Sequence, residues 1–299
     1  MTDTEITLCF PDGEKTCFAC CPPIRPAGYE HVSYENITKR TLRENTAQLD
    51  RTRTEVSPII GFSCWALGYL DRNCKLVGCL LHPAQNMGVD LRYRIDYWDK
   101  CRRETCTEAK TFSRLTMGEK RFLLRLSDGL DSFSYSSRKT NPLFNILNWG
   151  MGLLSRVASE EQGRIHTRGS FFRTYPLFST TLSPRANAYM INRLIDREGV
   201  RLLKDSSCKT EFERLSGHIS LLLQGEACQA DGGSPVHFLD FDQEFLDLLR
   251  LSGRILRITR EQVVLLKKIV DNHLVTFQEG LFQKPWSLER RTSDRPFRN

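Results

Sequence analysis

Residues 61–83 read GFSCWALGYLDRNCKLVGCLLHP, and whether their apolar residues form one helix or several short pieces decides the character of the first third of the chain. Gly61, Gly68, Gly78 and Pro83 interrupt the stretch too often for a single long helix. The reading is therefore turns with short strands or helices between them. Cys64, Cys74, Cys79 and His82 fall inside it, and the same spacing of cysteine among turn residues continues on either side. Residues 1–30 hold Pro11-Asp12-Gly13, Pro22-Pro23, Pro26 and Gly28 around Cys9, Cys17, Cys20 and Cys21, a composition for loop because proline removes donors and fixes φ. Residues 34–55 are polar, and leave a solvated helix and a connector as open alternatives.

Beyond Cys106 the pattern changes to helical periodicity. Apolar residues recur at spacings of three and four over 118–127, and Pro184 opens a helix expected over 185–204. Further helices are expected over 211–224, 242–251 and 260–277. In the last of these Val263, Val264, Leu266, Ile269, Val270, His273, Leu274 and Phe277 make a broad buried stripe. Thr259 with Gln262 forms its cap. The expected fold is mainly α: an irregular cysteine-rich metal-binding module over 1–110, a mainly helical domain over 111–284 and a flexible basic tail over 285–299. The boundary falls between Cys106 and Thr116.

Composition sets the class. With 40% hydrophobic and 26% charged residues among 299, the chain has the makings of a globular protein with a real core. The start lacks the basic and apolar regions of a signal peptide, and no uncharged apolar run approaches the ~20 residues of a membrane span. No membrane partner and a cytoplasmic location are the expectations. Residues 1–110 contain 15 basic and 15 acidic side chains, so the net charge of +7 belongs entirely to 111–299. It is spread without a dense block, as on a solvated basic surface.

Nine of the eleven cysteines lie in the first 106 residues, leaving only Cys208 and Cys228 beyond. In a reducing compartment such clustering points to metal ligation or redox chemistry rather than a disulfide framework. The alternative is that some of them are small core residues, the better reading for Cys208 and Cys228. The order is Cys17-x2-Cys20-Cys21, Cys64-x9-Cys74-x4-Cys79-x2-His82, and Cys101-x4-Cys106. A close pair chelates because the second thiolate reaches a bound ion at little further entropic cost, while distant cysteines close long loops around it. Metal is then expected to support folding of this part as well as any chemistry. Motifs for zincins, P-loops, serine hydrolases and ferredoxins are absent from the sequence.

These residues resemble the CxxCxxCC family, whose members are described as zinc- or iron-chelating domains. The resemblance rests on Cys17-x2-Cys20-Cys21, on Cys64 before WALGYLD, on Gly78-Cys79-Leu80-Leu81-His82-Pro83 and on Cys101-Arg102 with Cys106. It covers residues 14–106. Glu14 stands where the family's first cysteine is expected, the segment between Pro83 and Cys101 is longer than usual, Cys74 and Cys79 compete for one position, and Cys9 has no counterpart. The resemblance implies Cys17, Cys20, Cys21, Cys64, Cys79, Cys101 and Cys106 as ligands, with Cys74 as an eighth. Zinc or iron, mononuclear or as an iron–sulfur cluster, is the implied cofactor. Four thiolates serve one zinc or one [4Fe–4S] cluster, so the number of cysteines permits two sites. Glu14 and His82 are additional ligand candidates, set against an exposed loop glutamate and a histidine that merely precedes a turn.

Other chemistry is thinner. Arg92, Arg94, Arg102 and Arg103 flank Tyr93, Tyr97 and Trp98, a mixture that grips single-stranded nucleic acid in some proteins, but Asp90, Asp96 and Asp99 among them suit local ion pairs better. Residues 164–175 (RIHTRGSFFRTY) form the best patch for an anionic partner, unless Phe171 and Phe172 are core. His166, His218, His237 and His273 lie without a catalytic partner at motif spacing. Three functions stay open at this point: a metal-binding protein, an iron–sulfur redox or electron-transfer protein, and a zinc-stapled nucleic-acid binder.

Overall fold

The computed structural model describes residues 6–282 apart from 22–25, 27, 51, 53, 61–62, 104, 163, 165 and 228–232, and residues 281–282 by their backbone alone. Cys228 and the tail over 285–299 lie outside the described residues. The architecture is mainly α, as expected, and no helix among the described residues is long and apolar enough to cross a membrane.

The chain divides into two compact units, Met1–Phe171 and Phe172–Asn299. This division lies well past the compositional break between Cys106 and Thr116. The reason is hydrogen bonding across that break: Phe18 N–H donates to Ser136 Oγ (2.9 Å), Tyr135 O–H to the Leu8 carbonyl (3.0 Å) and Arg138 N–H to Glu30 Oε2 (3.1 Å). The cysteine-bearing segment thus folds as one body with the helices that follow it.

In the first unit, α1 (Glu35–Gln48) resolves the open reading of residues 34–55. It is a surface helix with a narrow inner face, Thr38 and Leu42, and a Glu35–Lys39 pair (2.5 Å) on its outer side. Its Asn45 and Thr46 side chains reach a hairpin formed by β1 (Leu67–Tyr69) and β2 (Val77–Cys79), antiparallel with Leu67 opposite Cys79. The connecting turn is organised by the Asp71 carboxylate, which accepts from Asn73, Lys75 and Leu76 N–H at 2.7–3.0 Å. The short-piece reading of 61–83 therefore holds for the described part of that stretch. Phe18, Leu42, Ala66, Leu67, Val77, Leu81, Ile95 and Phe133 close a core against the hairpin, with Cys64 inside it.

Short helices complete the unit: α2 (Trp98–Arg103), α3 (Thr107–Ser113), α4 (Met117–Leu124), α5 (Ser132–Ser136), α6 (Pro142–Leu147) and α7 (Met151–Glu160), with α8 (Arg168–Thr174) at the division. Thr116 and Glu119 cap α4 reciprocally, and the helix expected over 118–127 ends in a 3-10 turn at Arg125–Ser127.

The second unit is built on α9 (Pro184–Glu198), α10 (Ser206–Ala227), α11 (Gln243–Leu251) and α12 (Arg260–Phe282), with a two-residue strand pair, β3 (Ser234–Pro235) and β4 (Arg257–Ile258). The helix expected over 185–204 is two elements. Gly199, at φ +72°, ends α9 and a 3-10 turn takes over the rest, because only glycine enters that region freely. α9 packs on α11 through the Tyr189 and Phe245 rings, 4.9 Å apart, and an Arg185–Asp247 ion pair. Thr259 and Gln262 cap α12 as expected, and Val263, Leu266, Val270 and Leu274 form its buried line. Val264, assigned to the stripe from sequence, is exposed, because one residue of helix turns it about 100° off that line.

Candidate metal centre

Three segments deliver the cysteines. In the first loop the Asp12 carboxylate accepts from Glu14 N–H (2.8 Å), Lys15 N–H (3.0 Å) and Lys15 Nζ (2.6 Å), fixing the Pro11-Asp12-Gly13 turn. The returning chain brings Cys17 N–H to the Cys9 carbonyl at 2.9 Å. Thr16 then locks the loop onto the hairpin: its hydroxyl donates to the Val77 carbonyl and accepts from Val77 N–H, both at 2.8 Å. Phe18 is buried between the His31 and Phe133 rings, and a turn closed by Cys21 N–H to the Phe18 carbonyl (3.0 Å) leaves Cys20 exposed and Cys21 half-buried. A His31 Nε2 contact to the Cys21 carbonyl braces the same turn.

The hairpin and the segment leading into it carry the next pair. Leu67 N–H and Asn45 Nδ2 both donate to the Cys64 carbonyl, at 3.0 and 3.1 Å, and Cys79 lies opposite Leu67 on β2. The third segment is α2, where Arg92, held by Asp90, donates to the Cys101 carbonyl at 3.0 Å. Cys106 then serves as the N-cap of α3, its sulfur accepting from Ala109 N–H at 3.4 Å.

The result is a cavity of about 390 Å³ faced by Cys9, Cys17, Cys20 and Cys21 from the loop, Cys64 from the segment leading into β1, Cys79 from β2 and Cys101 from α2. Arg92, Lys100 and Arg102 give it a cationic side. Among the described residues the cysteines form no disulfide, and no three His, Cys, Asp or Glu donors are already set around one point in ligating geometry.

Burial is the first cause that holds these thiols protonated, pushing Cys9 and Cys79 up to about 11 and Cys64 and Cys106 to about 12. Cys17 and Cys101 are raised by burial too. Cys21 is raised first by its hydrogen bond with Cys20, then by burial. Neighbouring thiols add to the effect in each case. Thiols so close together ionise as a group only if a cation arrives to offset their charge.

The sequence-nominated residues divide as follows. Cys17, Cys20, Cys21, Cys64, Cys79 and Cys101 meet at the cavity, and Cys106 lies close enough to be felt by Cys17. Cys74 does not join them: it is exposed in the Asp71 turn, at φ +55°. Cys9, unassigned by the resemblance, faces the cavity. The signal that could have found it is the Pro-Asp-Gly turn midway between Cys9 and Cys17, which sets the two opposite each other.

Glu14 is exposed and paired with Lys75 at 2.8 Å. His82 lines the cavity, but its Nδ1 accepts from Ala84 N–H at 3.2 Å and caps the Pro83–Gln85 turn. Burial and Arg92 depress its pKa, and with Nδ1 accepting, the neutral ring carries its proton on Nε2, a donor rather than a ligand.

Of the remaining candidates, Arg94 is buried and Arg102 lies 5.0 Å from the Trp98 ring, so the arginine–aromatic run is partly structural. Phe171 is core, and His166 bonds Glu161 at 2.9 Å. His218 and His273 meet across α10 and α12, ring centroids 4.9 Å apart; Glu211 near them pairs with Arg214. No protein-family model matches the chain, and no curated protein or solved structure is significantly similar to it.

Proposed function

We propose that the first unit is a metal-binding module that holds zinc or iron through its clustered cysteines. The observation that carries this reading is the convergence of seven cysteines from three separate segments on one cavity with a cationic side. Thiolates are soft ligands suited to zinc and iron–sulfur clusters, and their collective negative charge explains why arginine and lysine belong beside them. The resemblance to the zinc- and iron-chelating CxxCxxCC domains supports the same reading. A high density of thiols without disulfides suits a reducing compartment, and the cytoplasm is the location we propose.

Zinc and an iron–sulfur cluster differ in the space they need. Four thiolates around a single zinc stand about 3.8 Å apart, from a Zn–S bond of about 2.3 Å, and enclose almost no space beyond the ion. The cavity of about 390 Å³ is lined by many residues besides the cysteines, so either form has room in it, and an iron–sulfur cluster would bring with it an electron-transfer or redox role.

The test is elemental analysis with a visible spectrum on the full chain purified without air. Iron with matching sulfide and a broad band near ~400 nm supports the cluster form, and zinc alone supports a structural or storage site. Absence of any bound metal after reconstitution with either refutes the reading.

A further inference from the structure

We infer that a groove between α4 and α7 binds a nucleoside diphosphate, with Arg121, Arg125 and Arg164 on its phosphates. The inference is independent of the metal-binding reading and concerns other residues of the first unit.

The groove encloses about 550 Å³. Arg121 and Arg125 line it from the end of α4, four residues apart and so on one side of the helix. Arg164 comes from the chain after α7, where the basic patch read from the sequence over 164–175 begins. From α7 and the residues just beyond it come Ser155, Ser159 and Gln162, and Phe122 and Ala158 add an apolar part. Residues 111–171 hold nine basic and five acidic side chains, so more than half of the net +7 lies in the part of the chain that carries this groove.

The carboxylates that share the groove are already committed. Glu119 accepts from Thr116 N–H (2.7 Å) and Thr116 Oγ1 (2.9 Å), and Ser155 hydrogen-bonds it as well. Glu161 is buried, with His166 Nε2 at 2.9 Å and Arg164 Nη1 at 3.3 Å on one oxygen. Arg121 and Arg125 are exposed, and among the described residues neither meets a carboxylate. Within α4 neither has an acidic residue three or four positions away. Like charges four apart destabilise a helix, and an anion in the groove removes that repulsion.

The chemistry sets the ligand class. A guanidinium presents a planar fork that matches the oxygens of a phosphate in pairs. Two guanidiniums without acidic partners match two phosphate groups, and Arg164, shared with Glu161, adds a further cation. Small-molecule sites run to about 300–1,000 Å³, so a groove of this size takes more than bare phosphate. Phe122 and Ala158 offer apolar contact to the nucleoside, and Ser159 and Gln162 offer hydrogen bonds to it.

The experiment is calorimetric titration of ADP into the full chain at low salt, and into Arg121→Gln, Arg125→Gln and, as a control on α1 outside the groove, Arg43→Gln. ADP should bind one to one. Each groove variant should weaken it about 10-fold or more, the loss expected for a charge-assisted hydrogen bond, and Arg43→Gln should leave it unchanged. Far-UV circular dichroism and metal content should be the same in every variant, which separates loss of this site from loss of the cysteine site. Inorganic pyrophosphate should bind more weakly than ADP, because it leaves Phe122 and Ala158 uncovered. No binding of ADP at millimolar concentration, or equal affinity in wild type and both groove variants, overturns the inference. A lower melting temperature in the groove variants with ADP affinity intact also overturns it, and assigns the arginines to the C-terminal dipole of α4. A single-stranded oligothymidylate that binds where ADP does not overturns it in favour of a nucleic-acid strand.

Discussion

Thr16 joins the cysteine loop to the hairpin, and replacing it with valine tests whether that join positions the site. Valine keeps the shape and removes the hydroxyl, so no cavity forms and the loss is polar. Two backbone groups of Val77 lose their partner, the carbonyl and the N–H, each at 2.8 Å from Thr16 Oγ1. Thr16 is fully buried, so water cannot replace what is lost. An unsatisfied buried group costs about 1–3 kcal/mol, which puts Thr16→Val at about 2–6 kcal/mol for the pair. Thr16→Ser keeps the hydroxyl and loses one methyl, about 0.8 kcal/mol. With a urea slope of about 2 kcal/mol/M for a unit of this size, the valine variant should unfold about 1–3 M earlier than wild type, and the serine variant less than 0.5 M earlier. Tryptophan fluorescence reports it, since Trp65, Trp98 and Trp149 all lie in the first unit. Metal content should fall with stability in the valine variant, because Cys17 is the next residue. Equal midpoints for the two variants would refute the reasoning, showing that the Thr16 bonds do not hold the loop.

Two glycines are expected to respond with opposite signs. A Cβ at Gly68 meets Leu80 Cδ1 and Thr46 Oγ1 at 2.6 Å each, and Thr46 is already committed to Leu42 and Tyr69, so Gly68→Ala should cost about 1–3 kcal/mol in thermal unfolding. A Cβ at Gly118 in α4 meets nothing, and Gly118→Ala should stabilise by about 0.5–1 kcal/mol; a loss of melting temperature there would contradict the open space seen. In the second unit burial, and secondarily Asp205, pushes the Cys208 thiol to about 12. The folded state therefore keeps a proton that the unfolded chain gives up near pH ~8.5, so the thiol's contribution is whole below that pH and is lost as pH rises toward 12, with a limiting slope of about 1.4 kcal/mol per pH unit. Urea midpoints from pH 8 to 11 should fall more gently in Cys208→Ala than in wild type; parallel curves would count against the buried thiol. Cys208 should also resist alkylation at neutral pH in the folded chain, whereas exposed Cys74 should react.

The sequence showed some of this plainly and concealed the rest for physical reasons. α4, α11 and α12 could be read because their inward-facing residues recur within one helix, where spacing alone is informative, and α12 also showed its cap. α1 could not, because only Thr38 and Leu42 face inward and two residues do not make a period. Gly199 divided a helix whose apolar pattern runs straight through it, since backbone conformation and not hydrophobicity ends α9. The six cavity cysteines named from the sequence were nominated by their clustering together with the family resemblance. Cys9 and Cys74 look equivalent in composition, yet turns separate them: Asp12 folds Cys9 back onto Cys17, while Asp71 carries Cys74 to the tip of a turn. Which cysteines act together is thus a property of turn geometry, and a motif pattern built on spacing does not contain it.

The core beside the cavity changes what a metal has to do here. A loop-rich, cysteine-dense segment ordinarily depends on metal to hold any shape, since folding and binding are then one event. In this chain Phe18 is buried on the loop itself, Cys64 sits within an apolar cluster, and Thr16 and Phe18 N–H are bonded to β2 and α5. Those contacts hold the loops through groups other than the thiols. Protonated, the thiols are neutral, so gathering them there costs no mutual repulsion; repulsion appears only on ionisation, when the incoming cation cancels it. On the metal-binding reading proposed above, metal would enter a frame that contacts other than the thiols also hold. The binding energy that a zinc finger spends on folding is available in such a frame for affinity or for tuning a cluster's potential.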